Sequence, residues 1–130
     1  MLSDPLADLL TRIRNAQAVK KKTLSAPYSR LKENLVKIMI NEKYLKDYQV
    51  TGKKPKQTLE ITLKYSHKKP AISNLIRVSK PGRRIYADLG NLAQLTRGRG
   101  IAILSTSKGI ITVAEARKKK IGGEVICKIN

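Results

Sequence analysis

The chain has 130 residues, 41% of them hydrophobic, enough for one compact domain or two small lobes with a modest core. Twenty-eight Lys and Arg against nine Asp and Glu leave a net charge of +19, a surface that repels itself unless a polyanion covers it. Trp and Phe are absent and no apolar run nears the ~20 residues of a spanning helix, so a membrane is not the expected partner.

Cys127 is the single cysteine, which excludes an internal disulfide and suits a reducing compartment. Asp4 and Asp8 interrupt any signal-peptide pattern at the start. A soluble intracellular nucleic-acid binder is expected. The basic excess is not a tail. Residues 1–65 hold fourteen basic and six acidic side chains, and residues 66–130 fourteen and three. Both halves are expected to meet the polyanion.

Ser3-Asp4-Pro5 reads as a helix start, with Asp4 as cap and Pro5 at the first helical position. Leu6, Leu9, Leu10, Ile13 and Ala16 then recur at helical spacing and predict one buried stripe. Asp8, Arg12 and Asn15 fall on the opposite face, with Thr11 and Arg14 towards its flanks. That face is either merely solvated or a source of phosphate and 2′-hydroxyl contacts. Lys20-Lys21-Lys22 is a basic loop, and Thr23 to Ala26 a short strand ending at Pro27.

A second helix is predicted from near Ser29, burying Leu31, Leu35, Ile38 and Met39 and leaving Arg30, Lys32 and Lys37 outside. Tyr44 to Val50 and Leu59 to Tyr65 read as strands joined through Thr51 to Gln57. In the second strand Leu59, Ile61, Leu63 and Tyr65 alternate with polar residues. The first half thus reads α-β-α-β-β, helices on one face of a small sheet. His67-Lys68-Lys69-Pro70 breaks the pattern, and the lobes are divided there, 1–66 and 67–130.

Beyond it come an apolar run from Ala71 to Val78, a Lys80-Pro81-Gly82 turn of expected type II, and Arg83-Arg84-Ile85-Tyr86. Asn91 to Leu95 is one helical turn. Thr96-Arg97-Gly98-Arg99-Gly100 is a loop with two guanidiniums. Ile101 to Leu104 and Ile110 to Ile111 flank the polar loop Ser105-Thr106-Ser107-Lys108-Gly109, as two strands meeting at an exposed turn. Thr112-Val113-Ala114-Glu115 matches a capping box, predicting a helix from Val113 to about Lys119, ended by Gly122-Gly123. Glu124 to Ile129 closes the chain as a strand. The fold class is α+β, an α/β lobe followed by a mostly β lobe.

Catalytic constellations are missing. His67 is alone in a Lys-flanked turn, and Cys127 alternates within a strand as a small core residue. One His and one Cys cannot assemble an ordinary zinc site, and neither a Walker A loop nor a dinucleotide fingerprint occurs, so no cofactor is expected. Ser105-Thr106-Ser107-Lys108 does satisfy S-x-x-K, but its S-D-N and K-T-G partners are absent and the match has two free positions. An enzyme is not expected.

Nucleic-acid binding fits better, and the five scattered Tyr disfavour a stacking platform for single strands. A hydroxyl-rich loop suits folded RNA, because Ser and Thr both donate and accept and so match 2′-hydroxyls and base edges. Gly109 lets the backbone approach a phosphate closely. The competing reading is an ordinary hairpin loop.

Three ordered segments carry a resemblance. They are Asp4-Pro5-Leu6-Ala7-Asp8-Leu9-Leu10-Thr11-Arg12-Ile13-Arg14-Asn15, then Arg77-Val78-Ser79-Lys80-Pro81-Gly82-Arg83-Arg84-Ile85-Tyr86, then Gly100-Ile101-Ala102-Ile103-Leu104-Ser105-Thr106-Ser107-Lys108-Gly109. Glu115-Ala116-Arg117 and Gly122-Gly123-Glu124-Val125-Ile126-Cys127 continue the third. Over essentially its full length the chain resembles small-subunit ribosomal protein number eight of bacteria and organelles.

The resemblance implies an early-binding protein of the small subunit that helps organise its platform, on the ribosome of the cytoplasm or of an organelle. Its C-terminal lobe is expected to grip an irregular helix in the central domain of small-subunit ribosomal RNA. The base-facing loop is then Ser105, Thr106, Ser107, Lys108 and Gly109, assisted by Tyr86 and Glu124, with Arg84 of the same segment added to the set. An acid at an RNA surface costs phosphate repulsion, so Glu124 is expected to accept from base amino groups. The start of the N-terminal helix implies Asp4, Pro5, Arg12, Arg14 and Asn15. Small-subunit proteins five and twelve are the implied neighbours, and its own operon message a second RNA target in some bacteria.

The chain departs from relatives at Arg97 and Arg99, which flank Gly98 where neutral residues are usual and suggest extra phosphate contacts. Val113 replaces a common aspartate. Lys128 follows Cys127 where tyrosine is frequent, and Ile129-Asn130 lacks an aromatic residue.

Overall fold

The computed structural model describes residues 3–80, 82–95 and 100–130. Pro5–Ile72 forms one compact unit, and Ser73–Asn130 makes up the body of the other. Helices and antiparallel strands occur in both units, an α+β protein.

In the first unit α1 (Ser3–Ala18) starts one residue ahead of the expected cap, so Asp4 lies in its first turn. Its stripe of Leu6, Leu9, Leu10, Ile13 and Ala16 is buried, while Asp8, Arg12 and Asn15 are exposed. β1 (Thr23–Pro27) sends Leu24 and Ala26 inward. α2 (Arg30–Asn41) begins at Ser29, whose side chain accepts from the Lys32 N–H. β2 (Leu45–Thr51) and β3 (Thr58–Leu63) complete an antiparallel sheet ordered β1-β3-β2. The period-two pattern of β3 buries Leu59, Ile61 and Leu63. The register puts Ile61 between Leu24 and Tyr48, and Leu59 between Ala26 and Val50. β3 ends at Leu63. Tyr65–Ser66 (β4) pairs instead with Lys69–Pro70 (β5), so Tyr65 is not a continuation of the expected strand.

Lys32 is a correction. It is 6% exposed, although charge placed it outside. Its stem is covered and its ammonium donates to the Pro27 carbonyl at 3.1 Å, so a long side chain satisfies its polar head at the helix entry. Val36 is buried in place of Leu31 and Ile38, which are only half-buried.

The second unit is built on β6 (Leu75–Arg77), β7 (Tyr86–Ala87), α3 (Leu89–Leu95), β8 (Ile101–Thr106), β9 (Gly109–Thr112), α4 (Val113–Lys119) and β10 (Gly123–Ile129). β10 is central: it pairs β8 on one side and both β6 and β7 on the other, all antiparallel. Its register shifts between Val125 and Cys127, and Val125, Ile126 and Cys127 are all buried there in succession. Ala87, Leu92, Ala102, Leu104, Ile111, Val113, Ala116 and Val125 form one core cluster. Val113 is thus a core residue at the first position of α4.

Local chemistry sets the boundaries. α3 is longer than expected because Asp88 caps it, its carboxylate accepting from the Asn91 N–H at 3.0 Å. Thr112 caps α4, accepting from the Glu115 N–H at 3.2 Å. α4 ends on Lys120 in the left-handed conformation, φ 56, rather than on the glycine pair. Gly122 and Gly123 serve another purpose. A Cβ on Gly122 would collide with the Ala87 carbonyl, and one on Gly123 with that of Ser105. They let the start of β10 slide between β7 and β8. Pro81 and Thr96–Arg99 lie outside the described residues, and with them the turn type at Lys80-Pro81-Gly82 and the loop of Arg97 and Arg99.

Candidate nucleic-acid interface

Residues directly opposite across an antiparallel pair share a face of the sheet. Glu124 on β10 stands opposite Tyr86 on β7 and opposite Ser105 on β8, and Ser105 stands opposite Ile110 on β9. Tyr86, Glu124 and Ser105 therefore form one row across three strands. The next positions along those strands, Ala87, Leu104 and Val125, belong to the core. Alternation thus turns the polar row away from the cluster that supports it. Tyr86 is 69% exposed, a large ring left open to solvent.

The hairpin tip continues the row. Thr106 pairs with Gly109, leaving Ser107 and Lys108 as the turn, both exposed. Gly109 takes φ +97 with nothing within 4 Å of where a Cβ would lie, so conformation and not space asks for glycine. Thr106 is the brace: its hydroxyl donates to the Gly109 carbonyl at 2.8 Å and accepts from the Lys108 N–H at 3.1 Å. Its one proton is committed inside the turn, which leaves Ser107 as the exposed hydroxyl of the tip.

Glu124 is shielded. Its Oε2 lies 3.3 Å from an Arg84 guanidinium nitrogen, and the side chains are 12% and 24% exposed, respectively. The segment carrying Arg84 is pinned by Ser79, a buried residue to which sequence reasoning gave no role. The Ser79 hydroxyl accepts from the Ile85 N–H at 2.9 Å and donates to the Ile85 carbonyl at 3.2 Å. Val125 N–H in turn bonds the Ile85 carbonyl at 2.8 Å. Arg84 and Glu124 are each one residue from that tie.

On the first unit Arg12, Arg14 and Asn15 are exposed on α1, as is Pro5 at its start. Arg12 is held on both sides: its Nε donates to Asp8 at 2.8 Å and another guanidinium nitrogen to the Ser25 carbonyl at 3.2 Å. It lines two open clefts, of about 530 and 410 Å³. Lys56, Gln57 and Tyr28 share the first, and Asn15, Lys21 and Val19 the second. Lys56 could not be found beside Arg12 from sequence spacing. Pairing of β1 with β3, Pro27 opposite Thr58, brings its loop there.

Three scattered residues also meet. Tyr28 and Tyr48 donate their phenols to the two oxygens of Glu33, at 2.7 and 2.8 Å. Those hydrogen bonds, Tyr28 first, hold the Glu33 carboxyl below its ordinary range, and they hold both phenols above theirs. Burial pushes the Cys127 thiol up to about 12, so it stays a neutral core group at neutral pH. No cluster of three metal-ligating side chains occurs among the described residues, and no described helix is long and apolar enough to cross a membrane.

With this row and tip in view, comparison with known proteins identifies the chain's relatives. The sequence profile described as "Ribosomal protein S8" matches residues 4–130. The chain belongs to the ribosomal protein S8 family. It is 50% identical to the small ribosomal subunit protein uS8 of Persephonella marina, covering 99% of each chain. The uS8 proteins of Thiobacillus denitrificans and Bordetella petrii are each 48% identical, the alignments covering 97% and 98% of this chain and 96% and 98% of theirs. Lys128 is exposed, and Ile129 is buried.

Proposed function

We propose that this S8-family chain is a structural constituent of the small ribosomal subunit that binds the central domain of its RNA and helps assemble the platform. The row Tyr86-Glu124-Ser105, ending in the Ser107-Lys108 tip, is the observation that carries the reading. It offers an aromatic face, an acceptor and hydroxyls side by side on a rigid sheet. Folded RNA with an irregular helix presents matching groups: unstacked faces, base amino groups and 2′-hydroxyls. The charge of +19 supplies attraction that does not depend on sequence. Arg12, Arg14 and Asn15 on α1, with Asp4 and Pro5 at its start, add positioning contacts, and Arg97 and Arg99 add phosphate contacts. Small-subunit proteins five and twelve are the proposed neighbours. An operon message that mimics the ribosomal site would use the same surface.

Binding to an isolated central-domain hairpin tests this. With ~6 phosphate contacts, affinity should fall on the order of 10³-fold between 50 and 200 mM salt. Ser107→Ala and Glu124→Ala should each reduce the preference for that hairpin over a fully paired duplex. Undiminished preference in both variants would sink the specific-readout reading.

A further inference from the structure

A carboxylate is an awkward group to hold against a polyanion, and this chain holds one 12% exposed in the middle of its polar row. Repulsion from phosphates and loss of hydration both raise the cost of placing a charge there. Its only described hydrogen-bond partner is Arg84, on Oε2. The sequence assigns Arg84 simply as one more cation for RNA. The geometry points elsewhere. The Arg84 side chain is itself 24% exposed with a guanidinium nitrogen 3.3 Å from Glu124, and the Ser79–Ile85–Val125 ties fix the backbone next to both residues.

We propose that Arg84 is a positioning residue for RNA selectivity. It neutralises and orients Glu124 through Oε2, and so leaves Oε1, on a residue whose cross-strand neighbours are Tyr86 and Ser105, to accept from a base amino group. The inference rests on the RNA-binding reading above. Arg84 then acts through Glu124 and not by gripping phosphate. The planar guanidinium fork, here with one nitrogen 3.3 Å from Oε2, holds the carboxylate in a narrower range of orientations than a point charge would. Cancelling the local charge also lets the row approach RNA without a net repulsive centre.

The two roles for Arg84 differ in what they do to selectivity and to salt dependence. Affinities for the irregular hairpin and for a regular duplex of equal length are measured across a salt series, for the wild type, Arg84→Ala, Glu124→Ala, the double variant and Arg84→Lys. If Arg84 works through Glu124, each alanine variant loses about tenfold in hairpin-over-duplex preference, the scale of one base contact. The double variant then loses no more than either single one, and the salt slope of Arg84→Ala stays at the wild-type value. Arg84→Lys recovers part of the preference, because a cation returns without the fork.

Equal weakening of both RNAs by Arg84→Ala, with the salt slope reduced by about 1, marks a phosphate anchor and overturns the proposal. Additive losses in the double variant overturn it too. Thermal melting of every variant separates folding from recognition. An Arg84→Ala protein that melts early yet keeps its preference would mean the residue is structural only. A wild-type protein without any preference overturns the RNA-readout reading itself, whereas a selective wild type with additive losses overturns this inference alone.

Discussion

Two ion pairs, one on each unit, look alike on paper and differ in what they can do. Asp8 and Arg12 approach to 2.8 Å on α1, but their side chains are 50% and 45% exposed. Glu124 and Arg84 are farther apart, at 3.3 Å, and far better shielded. The shorter pair is the weaker one, because water and salt screen an exposed helical pair down to a few tenths of a kcal/mol. Behind shielding, separating the partners leaves a charge with fewer substitutes for its lost contact. The exposed pair can open towards another ligand at little cost. The shielded pair serves as a fixed part of the surface.

The contrast can be broken first from beneath. Leu104→Ala removes core volume directly behind the polar row and should cost about 2–5 kcal/mol by denaturant unfolding. If the cost is near zero, the row has no rigid support. Glu124→Ala should cost less, about 1–2 kcal/mol, by leaving a shielded guanidinium short of its acceptor. A value as small as that of Asp8→Ala would erase the distinction between the pairs.

A third carboxylate sharpens the comparison, since Glu33 is held by two phenols. Removing it by Glu33→Gln should cost roughly 1 kcal/mol after allowing for solvent access. Its folded pKa is lowered, so its contribution is present above the ordinary glutamate range and disappears as pH falls through the lowered value. Tyr28 and Tyr48 are raised, so theirs is present below the ordinary phenol range and disappears as pH rises through the raised values. Unfolding midpoints of wild type and Glu33→Gln should therefore differ most near neutral pH and converge at both extremes; a constant difference would show that the triad does not titrate as described. The smallest effect is expected from Asp8→Ala, about 0.3 kcal/mol, absent in high salt.

Much of this was legible before any coordinates. Helical spacing picked out Leu6, Leu9, Leu10, Ile13 and Ala16, and alternation picked out Leu59, Ile61 and Leu63, because burial periodicity is written locally. Thr112 and Ser29 announced their helices for the same reason. Local patterns misled where a side chain's fate depended on a remote partner. Lys32 read as a surface cation until the Pro27 carbonyl met it, and the glycines at 122 and 123 read as a helix stop until β7 and β8 closed around them.

The sequence by itself therefore determined the class of partner and the order of the elements, since charge adds up along any chain and periodicity needs only neighbours. Tertiary structure alone decided which residues cooperate. Tyr86, Ser105 and Glu124 are separated by tens of residues and become adjacent only through strand register. The same register explains why Thr106 braces the tip while Ser107 faces out, and the Ser79 tie why Arg84 faces Glu124. Hydrogen bonds and shielding depend on distances that no spacing in the chain encodes.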